Sequence, residues 1–173
     1  MIGAVIVKAA ESLLYIRERI GNNDHPMIDR MLDYLGLPHH LSWCLAFCLW
    51  CVHMAVHPMP YPKIARCATF WERVQADPWK YDTFDAEDIA WGIEKATPGT
   101  IMIFSHSKVA GKNNWNGHAA MVTAQVNPRK FATIEGNTNA AGSREGDGVY
   151  QKTRTPKQGN MLLEGFVRVR GII

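Results

Sequence analysis

The chain has few cysteines, no long apolar run and no repeated or low-complexity segment. Only four cysteines, at positions 44, 48, 51 and 67, occur in 173 residues, and the first three crowd into eight positions. A secreted scaffold held by disulfides needs more cysteines and wider spacing, so reduced thiols are expected. No segment approaches the roughly 20 consecutive apolar residues of a membrane span, and insertion into a bilayer is not expected. The apolar start, MIGAVIVKAAESLLYIRERIG, is broken by Lys8, Glu11 and Arg17 before the apolar core of a secretory signal could be completed. Synthesis in the cytoplasm without a signal peptide is therefore expected. The basic residues are scattered, giving a formal charge of +3 with no nucleic-acid-reading motif, so nucleic acid is not an expected partner.

What is present fits one globular domain spanning residues 1–173, long enough to bury roughly 70% of its unfolded surface. Apolar residues between Ile6 and Ile20 recur at helical spacing and stop at Gly21-Asn22-Asn23. A second helix is predicted over residues 26–35, with Gly36 in the left-handed position that ends it. A third runs over 42–56 with Ser42 as its N-cap, since Pro58 and Pro60 prevent continuation. A fourth is predicted over 61–75, followed by a long loop through 94. The second half changes character: 100–104, 118–123, 131–134, 150–154 and 165–169 read as short strands separated by Gly, Asn and Pro. Helices first and antiparallel strands after is the α+β order.

The run Ser42 to Cys51, SWCLAFCLWC, allows two readings. As C-x3-C-x2-C it matches the iron–sulfur loop of radical enzymes; as a helix it presents one exposed and two buried cysteines. A cluster loop needs irregular backbone so that three thiolates can converge, whereas Leu45, Phe47, Leu49, Trp50 and Val52 make this run apolar and helical. The βα barrel of such enzymes, typically about 250 residues, does not fit the element order either. The helical reading is favoured. It gives Cys48 and Cys51 to the core and sets Cys44 in the first turn, where unpaired N–H groups and the helix dipole stabilise a thiolate.

A thiolate nucleophile needs a base, and His118, in a Gly-His-apolar context opening a strand, is the candidate. On the next strand TIEGNTN carries Glu135, 17 residues later, beside the amide of Asn137. Antiparallel pairing would bring Glu135 against the imidazole as an orienting carboxylate. The competing reading of Glu135 is a strand-end carboxylate paired with an arginine. His53 and His57, four apart on the predicted third helix, have zinc-compatible spacing but no third ligand in view. Trp71, Trp79, Trp91 and Trp115 are assigned to core and loop packing, with Trp115, three residues before His118, also a candidate for the cleft wall.

Taken in order, SWCLAFCLWC, TPGTIMIF, NGHAAMVTA, TIEGNTN and EGFVRV resemble the blocks of the cysteine, histidine-dependent amidohydrolase/peptidase (CHAP) domains, relatives of NlpC-type and papain-like peptidases. The resemblance covers about 42–169. It implies a papain-like α+β fold with N-terminal helices packed on a C-terminal antiparallel sheet. It also implies Cys44 as nucleophile, His118 as base, Glu135 as the group orienting the histidine and Asn137 as an accessory polar residue. The chain departs from the family at Thr100, where the strand after Pro-Gly usually begins with Asp.

The implied activity is hydrolysis of peptidoglycan amide bonds, as an N-acetylmuramoyl-L-alanine amidase or a stem-peptide endopeptidase. No metal or other cofactor is implied. The expected substrate is bacterial peptidoglycan in the periplasm or cell wall, reached by a monomer released as a phage lysin or delivered as an interbacterial effector. An effector would have an immunity protein as partner. His39, His40 and Tyr34 are the upstream candidates for a side-chain oxyanion partner. The alternatives are a catalytically silent structural or binding module of the same fold, and the iron–sulfur radical enzyme.

Overall fold

A computed structural model describes residues 2–106, 116–140 and 146–170. Among them are five helices, α1 (Ile2–Glu11), α2 (Pro26–Leu35), α3 (Cys44–Ala55), α4 (Cys67–Gln75) and α5 (Ala86–Ala90). Seven strands follow or intervene: β1 (Asp82–Phe84), β2 (Ile101–His106), β3 (Asn116–Asn127), β4 (Lys130–Thr138), β5 (Gly148–Arg154), β6 (Lys157–Gln158) and β7 (Met161–Arg168). They form one antiparallel sheet in the order β1-β7-β2-β3-β4-β5, with β6 paired to β7. This is the α+β arrangement that the order of elements predicts and the papain-like one that the resemblance implies.

Strand alternation sorts the core into two layers. Ile101, Ile103, Ala119, Met121 and Ile134 join the helices in one cluster, while Met102, Phe104, Ala120, Val122 and Phe131 form a second cluster with Phe84 and Phe166. Helix α3 lies at the centre of the first. Eight of its twelve residues are buried, Phe47, Cys48, Leu49, Cys51 and Val52 among them, so it has no solvent stripe to orient it. Its neighbours α1 and α2 on one side and β3 and β4 on the other fix it instead.

Helix α2 follows the sequence closely: Pro26 opens it, and Gly36 closes it at φ 73°. Other boundaries differ. Helix α1 stops at Glu11, not at Gly21, because residues 16–18 pair with the sheet. Arg17 bridges Gly148, Val149 N–H donates to the Ile16 carbonyl, and Arg17 Nη1 donates to the Val149 carbonyl. Pairing on the open edge of β5 outweighs a helical apolar pattern. Ser42 is not the N-cap of α3; Trp43 is, with no side-chain hydrogen bond, and its indole Nε1–H donates instead to Glu18 at 3.1 Å. Helix α4 begins at Cys67, six residues later than predicted, behind the irregular Pro-rich stretch 56–66.

The expected long loop over 77–94 holds β1 and α5. Asp85 caps α5 by accepting from Glu87 and Asp88 N–H, and Asp88 returns a bond to Asp85 N–H, a capping box written in the sequence Asp-Ala-Glu-Asp. At the departure from the family pattern, Thr100 is buried, its N–H donates to the Thr97 carbonyl and its own carbonyl accepts from Val122 N–H.

Candidate active site

The pairing between β3 and β4 is partial, and the site lies where it ends. The ladder runs from Asn127↔Lys130 to Met121↔Ile134. Beyond that point β3 pairs only with β2, through Ala120↔Met102 to Asn116↔His106, and β4 only with β5, through Glu135↔Tyr150 to Thr138↔Gly148. The sheet opens there, and the start of α3 abuts the opening. Gly136 makes the approach feasible: a Cβ there would stand 2.5 Å from the Trp43 ring and 2.7 Å from Phe47 Cβ. Ala119 N–H, on the opened part of β3, donates to the Cys44 sulfur.

Extending the Met121↔Ile134 register by one position sets Glu135 diagonal to His118 on the same face of the sheet. The two meet: His118 Nε2 lies 2.8 Å from Glu135 Oε2, with His118 6% exposed and Glu135 fully buried. With Nε2 committed, Nδ1 is the ring nitrogen left for Cys44, to which His118 is also hydrogen-bonded. Glu135 is held further by Thr133 Oγ1, which donates to Oε1 at 2.5 Å, and by Arg154, whose Nε donates to Oε1 at 2.7 Å and whose Nη2 donates to Oε2. Glu135 thus contacts both partners that its two readings named, the histidine and an arginine.

Electrostatics follow from this chain of contacts. The Cys44 thiol is held well below its ordinary pKa, first by a hydrogen bond from the Cys67 thiol and then by His118, against burial that pushes it up. Burial alone would lower the His118 ring, but its bonds to Cys44 and Glu135 raise it to about 9. Glu135 is also opposed by burial, yet Arg154 and His118 bring it down to about 2. At neutral pH the site therefore alternates in sign, thiolate, imidazolium, carboxylate and guanidinium, with no uncompensated buried charge. Such a thiolate can attack a carbonyl, and the imidazolium beside it can protonate a leaving amine.

Around these groups lies a cleft of about 120 Å³, lined by Ser42, Cys44, Arg66, Cys67, His118 and Asn137 among others. Asn137 takes a left-handed backbone at φ 53°, just after the register shift between Glu135 and Thr138, and is 7% exposed. The structure brings together all four residues singled out in the sequence. It also corrects one description, since Cys44 is not an exposed cysteine: it is 5% exposed, at the wall of the cleft.

Three participants were missed. Arg154 sat at the end of a predicted strand; the β4–β5 register sets it opposite Phe131, and its long side chain reaches from there to Glu135. Thr133, on the strand carrying Glu135, was not singled out. Cys67 carries no local signal at all, being delivered by the irregular stretch before α4.

The remaining candidates lie elsewhere. His39 pairs with Asp33 and Asp29, His40 Nδ1 meets the Asn22 carbonyl, and Tyr34 stacks on His53 at 4.0 Å, so none of the three lines this cleft. His53 and His57 touch edge to face at 5.0 Å, and burial lowers the His53 pKa. Among the described residues no group of three or more His, Cys, Asp or Glu side chains is placed to hold a metal ion. The cysteine-rich run is a regular helix in which Cys48 and Cys51 are fully buried, and burial raises both thiols. Trp71 is buried in the core as expected, whereas Trp79 and Trp91 are 89% and 79% exposed and serve no packing role. Trp115 lies outside the described residues.

A papain-like fold with a cysteine at a helix N-terminus against a strand-borne histidine defines a class, the cysteine hydrolases of this fold. Within it the family model of the CHAP domain matches residues 36–137, more than half of the chain, and the chain belongs to that family. It is therefore, at the level the family supports, a peptidoglycan hydrolase. The match spans Cys44 and His118 and ends at Asn137, so the last of the five sequence blocks, on β7, falls outside it. Comparisons with curated proteins and with solved structures give no match.

Proposed function

We propose that the protein is a cysteine amidohydrolase or peptidase that cleaves an amide bond of bacterial peptidoglycan, either between muramic acid and the stem peptide or within the peptide. Cys44 attacks the carbonyl carbon, and its own backbone N–H, at the first residue of α3, helps to hold the oxyanion. His118 protonates the departing amine and then takes a proton from the water that releases the acyl group. Glu135 fixes the imidazole so that Nδ1 faces sulfur, and Asn137 supports the polar wall of the cleft. The observation that carries this reading is the buried relay Cys44–His118–Glu135–Arg154 opening on the cleft. A binding module would have no use for a thiol held well below its ordinary pKa.

The chain acts at the wall as a monomer after synthesis in the cytoplasm, either as a phage lysin or as an interbacterial effector with an immunity partner. Mass spectrometry of fragments released from purified sacculi tests the reaction. New amino termini with intact glycan strands are expected for the wild type and none for Cys44→Ala. Equal release by both proteins, or release of sugar reducing ends alone, would overturn it.

A further inference from the structure

Cys67 is a second buried thiol in the cleft; it helps to hold Cys44 ionised, but no bond of the hydrolytic steps is made or broken at its sulfur. Cys44 and Cys67 are 5% and 4% exposed, both line the same small cleft, and each is the first residue of a helix, α3 and α4 respectively. They stand close enough that each thiol shifts the ionisation of the other, and both cysteines are free. Cys48 and Cys51, on the same helix as Cys44, are fully buried and do not line the cleft.

We propose that Cys44 and Cys67 form a reversible disulfide when the protein meets a small-molecule disulfide, and that this bond closes the site. The functional consequence rests on Cys44 being the nucleophile; the bond itself does not.

The chemistry balances in two exchanges. The Cys44 thiolate attacks one sulfur of the small disulfide, its S–S bond breaks, and one thiolate leaves, giving a mixed disulfide on Cys44. Cys67 then gives up its proton to the released thiolate, and its sulfur attacks Cys44 Sγ, expelling the second small group as a thiolate that takes its proton from water. Two protein thiols are oxidised and one small disulfide is reduced to two thiols. The order is set by the environment. Cys67 is held protonated first by its bond to the Cys44 thiolate and also by burial. Once Cys44 is capped its negative charge is gone, which removes that restraint and frees Cys67 to act as the resolving thiol.

The test is to treat the folded protein with hydroxyethyl disulfide at neutral pH and to map its cysteines by mass spectrometry after digestion under acid. A peptide pair joined through Cys44 and Cys67 is expected. Sacculus digestion should fall to the level of Cys44→Ala and recover fully with reductant. In Cys67→Ser the reaction should stop at a stable adduct on Cys44; Cys67→Ala serves if the serine variant folds poorly.

A wild-type protein that keeps the adduct on Cys44, keeps both thiols free, or links Cys44 to another cysteine overturns the proposal. Because the linkage is read on the thiols, it separates from the hydrolase reading. Linkage without any sacculus digestion before treatment would overturn the hydrolase alone, and digestion without linkage would overturn the disulfide alone.

Discussion

The two ends of the β3–β4 pair are built for different purposes. At the closed end Met121, Val122, Phe131 and Ile134 are buried on the two faces of a continuous ladder, and their contribution is packing. At the open end the strands part after Met121↔Ile134, and the buried side chains include His118, Glu135 and Asn137, polar groups that a continuous apolar sheet would not tolerate. The difference shows how a fold makes room for chemistry. Releasing a few residues from the ladder frees a backbone N–H for the Cys44 sulfur and lets the start of α3 pack against the parted strands. The buried charges this creates are satisfied by one another, with Arg154 as the outer counterion.

The largest expected effect comes from mutating one residue at each end. Cys44→Ala should lower sacculus digestion on the order of 10⁴-fold or more while leaving the melting temperature nearly unchanged. Met121→Ala at the closed end should do the reverse, costing about 2–5 kcal/mol of stability by denaturant unfolding while the folded fraction digests normally. If both variants lose activity without losing stability, the two ends are not separable.

Glu135→Gln comes next. It keeps the shape but leaves Arg154 facing an amide and offers the ring an N–H or a weaker, uncharged acceptor, so kcat should fall about 10²- to 10⁴-fold with little change in KM. Wild-type rates in this variant would remove Glu135 from the relay.

A pH profile sharpens the comparison without mutation. Activity should rise with pH as Cys44 ionises, and fall tenfold per unit above about 9, where His118 loses its proton. Stability has a separate acid limb. Glu135 goes from an ordinary value near 4.5 when unfolded to about 2 when folded, so its contribution is present above about 4.5 and is lost as pH falls towards 2. In Glu135→Gln that limb should flatten in denaturant titrations between these values. An unchanged limb would assign acid unfolding to other carboxylates.

The smallest effect is expected for Asn137→Ala, roughly tenfold in kcat, because the amide lines the cleft and supports proton transfer without performing it. A loss as large as that of Glu135→Gln would move Asn137 into the relay.

Much of the site was legible in the sequence because its parts are local. A cysteine opening an apolar helical run, a histidine opening a strand, and a carboxylate with an amide on the next strand are each defined by a few neighbours. The helices and strands that carry them were also visible, since Pro, Gly and apolar period mark them. What failed were judgements that depend on a partner distant in sequence. The pattern over Ile6 to Ile20 is helical in isolation, but Ile16 and Arg17 find an open strand edge at Gly148 and Val149. Ser42 is the better N-cap by residue type, but Trp43 is drawn to Glu18 and packs on Gly136.

By itself, then, the sequence determined the α+β order and the helix α2 with its glycine stop, because short-range propensity and spacing suffice for these, while the resemblance of its blocks to one family singled out Cys44, His118, Glu135 and Asn137 together. Only the tertiary structure decided that β3 and β4 part at Met121↔Ile134, that Arg154 closes the charge relay, and that Cys67 stands beside Cys44. Each of these depends on strand register or on the path of an irregular segment. Register is fixed by the fit of whole faces against one another, which no local stretch of residues encodes.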